Sequence, residues 1–237
     1  GKEEKEKALP HYRYVAEQNA NEYTEQALAR VCEIYLSRDN YVDAFPYLEQ
    51  LEQTANIKQN VTYAQSNLMK GYYQQKNYPK TISYAEKVLA TPTIDNRIKT
   101  DAHIMIARSA IKTGDLEKAK IGYTKVAEIA SGEPAAEAVY YDAYFKNKEQ
   151  DFENSSKAVQ ELVKNYPAYK EWAAKGLLIM ANNYKELDDA YQADYILVNI
   201  IKNFKQFPNV VAEAQVELDM LRRKQARSNS SVNPQGN

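Results

Sequence analysis

A compact side chain returns along this chain at almost even spacing. Ala44, Thr81, Ala119, Ser155 and Ala193 stand 37, 38, 36 and 38 residues apart. Each follows a polar turn by a few positions: Asp39-Asn40-Tyr41, Lys76-Asn77-Tyr78, Gly114-Asp115-Leu116, Gln150-Asp151-Phe152 and Asp188-Asp189-Ala190. A fixed period in this range marks units that stack on their neighbours instead of wrapping one central core. It narrows the function to binding and does not name the partner.

Between the turns, apolar residues fall three and four positions apart, as in Ile98, Ala102, Ile106 and Ala110 or Leu177, Met180, Ala181 and Tyr184. That is helical periodicity, and strand alternation is absent over any useful length. The pattern predicts helices over roughly 11–19, 24–37, 41–54, 59–75, 78–90, 96–113, 116–130, 134–148, 152–165, 170–187, 189–204 and 208–226, with a frayed turn near 3–8. Looser links carrying Pro or Gly separate successive pairs, as in Ala90-Thr91-Pro92-Thr93 and Ser131-Gly132-Glu133-Pro134. Pro suits such links because it lacks the N–H that a continuing helix needs.

The composition agrees. The 237 residues include only 7 Gly, and 20 Tyr against one Trp. Tyr packs as a hydrophobe while its hydroxyl reaches water, which suits thin helical layers. With 31 basic and 32 acidic side chains the net charge is -1, which argues against nucleic acid as a partner. No apolar run approaches the roughly 20 residues of a membrane span. The single cysteine, Cys32, rules out an intrachain disulfide and leaves cytoplasm and periplasm both open. The chain opens on Gly1-Lys2-Glu3-Glu4 without Met, and the sequence leaves open whether a targeting segment or further repeats precede it.

Catalytic chemistry finds no motif. His11 and His103 are the only histidines, and HExxH, CxxC, GxSxG and a phosphate-cradling glycine loop are all missing. The sequence therefore predicts no catalytic residue, no metal ligand and no cofactor. Cys32 reads as a small core residue, with Glu33 beside it opposing thiolate formation. Asp188-Asp189 reads as a helix cap.

The residues then resemble tetratricopeptide repeats. With the compact residue set at the second-helix alanine position, Leu28, Val31, Cys32 and Tyr35 precede Ala44, Leu48 and Leu51. Leu68, Met69 and Tyr72 precede Thr81, Ala85 and Val88; Ile106, Ala107 and Ala110 precede Ala119, Tyr123 and Val126. Val139 and Ala143 precede Ser155, Val159, Leu162 and Pro167; Leu177, Met180, Ala181 and Tyr184 precede Ala193, Leu197 and Ile200. Thr81 and Ser155 depart from alanine, Met69 from a small residue, and the units are longer than the family norm. The resemblance implies an all-α, right-handed helical-hairpin solenoid of about five repeats plus terminal helices. Its expected divisions are an N-terminal helix or partial repeat over 1–24, five repeats over 25–208, a capping helix over 209–227 and a disordered tail over 228–237.

The long period, Asn165-Tyr166-Pro167 and the acidic-aromatic turns resemble envelope-associated repeat proteins of the Tol-Pal accessory and outer-membrane assembly type. The stretch from Tyr169 through Ala193 is similar to the C-terminal end of large repeat proteins of Bacteroidetes-like bacteria. These resemblances imply a non-enzymatic scaffold for a protein or peptide, periplasmic or associated with the outer membrane. The alternatives are a spacer or cap in a longer superhelix, and a small-ligand or enzymatic module. Family architecture puts first helices on the concave side. That makes Tyr63, Ser66, Lys70, Tyr73, Arg108, Tyr140, Tyr144 and Asn182 the expected partner-binding residues, with Glu33, Ile104 and Glu137 on the same face. Lys70, Arg108 and Asn182 are the residues that the resemblance assigns to a peptide carboxylate. The oligomeric state is not legible.

Overall fold

A computed structural model describes residues 2–18 and 20–232. Its described residues form twelve α-helices: α1 (Lys2–Glu17), α2 (Thr24–Leu36), α3 (Tyr41–Thr54), α4 (Lys58–Gln74), α5 (Tyr78–Leu89), α6 (Asn96–Thr113), α7 (Leu116–Ile129), α8 (Glu133–Lys148), α9 (Phe152–Asn165), α10 (Lys170–Glu186), α11 (Ala190–Asn203) and α12 (Pro208–Val232). The fold is all-α and built of helical hairpins. The chain divides within α7 into two compact units, Gly1–Gly122 and Tyr123–Asn237.

One local device makes all five hairpins. The last residue before each second helix is Asx: Asn40, Asn77, Asp115, Asp151 and Asp189. Its side chain accepts a hydrogen bond, 3.0–3.4 Å long, from the N–H three residues on. The residue before it lies in the left-handed region, with φ 54° at Asp39, 59° at Lys76, 82° at Gly114, 62° at Gln150 and 57° at Asp188. The Asx N–H donates back to a carbonyl five residues earlier, as from Asn77 to Tyr72 and from Asp189 to Tyr184. Thus one turn ends a helix with a left-handed cap and starts the next with a side-chain cap.

Four residues past the Asx comes the compact side chain, whose N–H makes the first bond of the new helix. Ala44, Thr81, Ala119, Ser155 and Ala193 all have no exposed surface. At these crossings the axes approach to roughly 8–10 Å, which leaves room for little beyond a methyl or hydroxyl. The two departures from alanine keep their hydroxyls bonded. Thr81 Oγ1 donates to the Asn77 carbonyl at 3.0 Å, and Ser155 Oγ donates across the hairpin to the Ala143 carbonyl at 2.8 Å. At Gly122 a Cβ would stand 2.9 Å from that of Ala107, so even alanine is too large there.

In unit 1 the core runs from α1 to α6 in successive layers. Ala16, Leu28, Val31, Cys32, Leu48 and Leu68 form one cluster, and Met69, Val88, Ala102 and Ile106 form another. Each helix packs on the next, and α4 also touches α6. A fully buried Leu contributes about 1.5–3 kcal/mol, so these narrow layers carry most of the stability. Cys32 is buried as expected, and burial pushes its thiol up to about 12.

Unit 2 repeats the scheme: α8 and α10 touch each other and both pack on α9, α10 packs on α11, and α12 packs on α11 and α10. Its seam between α8, α9 and α10 sets a buried polar group beside the apolar cluster of Ala143, Ala158 and Val159. Buried Asn183 donates to Ser155 Oγ at 2.9 Å and to Ser156 Oγ at 3.0 Å, while its own oxygen accepts from Asn147 Nδ2 at 2.6 Å. A buried amide is tolerated here because its partners are present.

Two terminal expectations need correction. The frayed turn near 3–8 and the helix over 11–19 are one helix, α1, which continues through Pro10. Leu9, Tyr12 and Val15 pack against the first core cluster, and that packing outweighs the backbone bond lost at Pro10. The expected tail over 228–237 is helical through Val232 in α12, and its remaining residues lie outside the described ones.

Candidate functional site

First helices line clefts in both units, and in each unit one cleft holds three of the expected partner-facing residues. The cleft between α4 and α6 has a volume of about 1020 Å³, and Tyr63, Ser66, Lys70, Arg97 and Asp101 are among its lining residues. The cleft between α8, α10 and α12 holds about 470 Å³ and is lined by Tyr140, Tyr144, Asn147, Lys148, Asn182 and Glu213, among others. Helical periodicity positions each set: Tyr63, Ser66 and Lys70 are three and four residues apart and so share one face of α4. Tyr140 and Tyr144 share one face of α8 in the same way.

In the α4–α6 cleft, Lys70 Nζ pairs with Asp101 Oδ2 at 2.7 Å, which links the two walls. Ser66 also lines the cleft, and its hydroxyl is buried and makes no hydrogen bond among the described residues. Chiefly through burial, the Tyr63 hydroxyl is held above the usual tyrosine range.

Aromatic rings dominate the second cleft. Tyr140 lies 5.2 Å from Trp172 and 5.0 Å, edge-on, from Tyr141, which in turn stacks on Tyr123 at 4.0 Å. Tyr140 and Tyr144 are thus partly packing residues between first helices, with the cleft at their edges. Burial raises the Tyr140 and Tyr123 hydroxyls above their ordinary range, and nearby Glu137 adds to the rise at Tyr123. The Lys148 ammonium sits 5.4 Å from the Tyr144 ring centroid, and Lys175 sits 4.7 Å from that of Trp172. Asn182 Oδ1 accepts from Asn147 Nδ2 at 3.0 Å.

Of the eight expected residues, three meet in each cleft. Tyr73 and Arg108 line neither; Tyr73 packs edge-on against Tyr78 at 5.8 Å beside the turn. Ile104 and Glu137 are corrected outright: they are 4% and 2% exposed. Glu137 Oε1 accepts from the buried Tyr123 hydroxyl at 2.8 Å, a partner that a helical wheel of α8 alone does not reveal. Sequence reasoning also missed Arg97, Asn147 and Lys148 as lining residues. They sit at helix ends, where the outward face is least defined by apolar spacing.

No protein-family model matches this chain, and no curated protein matches it in sequence. Solved structures do match. A tetratricopeptide repeat protein from Parabacteroides merdae superposes with a TM-score of 0.65 at 15% identity, over 89% of this chain and 78% of its own. The fold is that of tetratricopeptide repeat proteins. The TPR domain of P58(IPK) overlaps more loosely, with a TM-score of 0.40 at 14% identity over 94% of this chain and 62% of its own. In the described residues no helix is long and apolar enough to cross a membrane.

Proposed function

We propose that this chain is a non-enzymatic interaction scaffold whose first-helix clefts take a segment of a partner protein. One observation carries the reading: six of the residues marked by sequence as partner-facing converge on two clefts walled by rigid helices. Each cleft offers aromatic edges beside cations and amides. That is the mix in which a few buried anchors supply most of the binding energy. An envelope address belongs to the same proposal. It rests on the resemblance of the long repeat and of the Tyr169–Ala193 stretch to envelope-associated proteins, and fractionation of source cells tests it.

A photo-crosslinking residue placed at Lys70 or at Asn182 is expected to capture protein in source cells. The same residue at Tyr191, 77% exposed on α11, serves as the outer-face control. Equal capture at all three positions, or none at the clefts, overturns the reading. A spacer or cap is the second reading, and α12 favours it. Gln215, Asp219 and Arg222 are exposed where α10 places Leu177, Ala181 and Tyr184 toward its own second helix. A scaffold captures protein from its clefts, whereas a spacer does not.

A further inference from the structure

Unit 1 carries a second first-helix cleft, of about 670 Å³, between α2 and α4. Its charged lining is opposite in sign to that of its neighbour. Here Glu22, Glu25 and Glu33 stand against Arg30 alone, whereas Lys58, Lys70 and Arg97 outnumber Asp95 and Asp101 in the α4–α6 cleft. Tyr63 and Ile57 line both clefts, so the two are continuous across α4.

Internal pairing sharpens the contrast. Glu25 already accepts from the backbone N–H groups of Asn56 and Ile57 and from Asn60 Nδ2, and Arg30 pairs with Glu33 at 2.7 Å. Lys70 pairs with Asp101, and Asp95 caps the Ile98 N–H at 2.8 Å. What remains is an exposed Glu22 on one side and exposed Lys58 and Arg97 on the other, all without an ion pair among the described residues.

Passing from one cleft to the other means crossing α4, roughly 10–12 Å wide with its side chains, which an extended chain does in roughly three residues. That step is no shorter than the screening length of about 8–10 Å in physiological salt, so each end of a bound segment feels mainly the cleft beneath it. A segment of one charge sign would meet like charge at one end. We propose that the α2–α4–α6 track binds an extended polypeptide segment with a basic end over the α2–α4 cleft, an apolar middle at Tyr63 and Ile57, and an acidic end over the α4–α6 cleft. The inference rests on the scaffold reading and adds to it the chemistry of the partner.

Fluorescence anisotropy with three labelled peptides of about nine residues tests it, since such a peptide spans both clefts. One reads Lys-Arg-Lys, Ala-Leu-Ala, Glu-Asp-Glu; the others replace the charged thirds with all-basic or all-acidic residues. The two-signed peptide is expected to bind about tenfold tighter than either of the others. In the exposed double variant Lys58→Glu with Arg97→Glu, whose fold is checked by circular dichroism, the all-basic peptide is expected to bind best. Equal binding of the three peptides, no binding of the two-signed one, or an unchanged order in the variant overturns the proposal. If the peptides fail while the crosslinker at Lys70 still captures protein, the two-signed track falls and the scaffold reading stands. If both fail, both fall.

Discussion

Lys76 and Gln150 show how much one residue's backbone decides here. Both are exposed, and both hold φ near +60° at the end of a first helix. An L-residue with a long side chain is strained there, Asp less so, and glycine hardly at all. Gly114 fills the equivalent position in the third hairpin, where an added Cβ would meet nothing within 4 Å, so only backbone conformation sets its preference. Lys76→Gly and Gln150→Gly are each expected to raise stability by about 0.5–1 kcal/mol, and Gly114→Ala to lower it by a similar amount. Urea unfolding of the three variants checks this; the opposite signs would refute the shared turn geometry. The compact crossing residues were legible in the sequence because a single physical demand recurs at one spacing. The left-handed positions were legible only as polar turns, because Lys and Gln carry no mark of positive φ. Glu137 was misplaced for a related reason: a carboxylate reads as solvent-facing until its partner, the Tyr123 hydroxyl, is brought to it by the fold.

Among the elements, the link between α3 and α4 depends on a clip from a third helix. The N-cap residue of α4, Ile57, has no side chain able to cap. Glu25, on α2, takes that role by accepting from the Asn56 and Ile57 N–H groups at 3.0 Å and from Asn60 at 2.8 Å. Burial pushes the Glu25 carboxyl up, but these hydrogen bonds outweigh it and hold the folded value below the ordinary 4.5. The clip's contribution is therefore complete above the ordinary glutamate value and is lost as pH falls through the lower folded one. Glu25→Gln removes the titrating charge. Unfolding midpoints compared over roughly pH 3–6 are expected to show a weaker acid loss in the variant. Identical pH profiles would show that Glu25 does not titrate with folding. The clip was hidden in the sequence because its partners lie some thirty residues away. The unbroken α1 was hidden for another reason: Pro10 is a strong local stop signal, and only packing on α2 overrides it.

For the molecule as a whole, repetition makes stability local. Helices pack on their immediate neighbours within each unit, so damage at one crossing is felt there first. This locality also made the fold readable from one chain, since each hairpin restates the same rule of a polar turn followed by a compact residue. The clefts were only partly readable, because their walls depend on which first-helix faces the neighbouring helix leaves uncovered. Ala193, fully buried where α10 and α11 cross, is the place to test the rule. Replacement by Trp overpacks the crossing at a cost of roughly 1–3 kcal/mol or more. Native-state hydrogen exchange of Ala193→Trp is the most direct measurement. The expected result is lost protection in α10, α11 and α12 with α2 to α5 still protected; unchanged protection across α10 and α11 would contradict the claim that compact side chains hold these hairpins together.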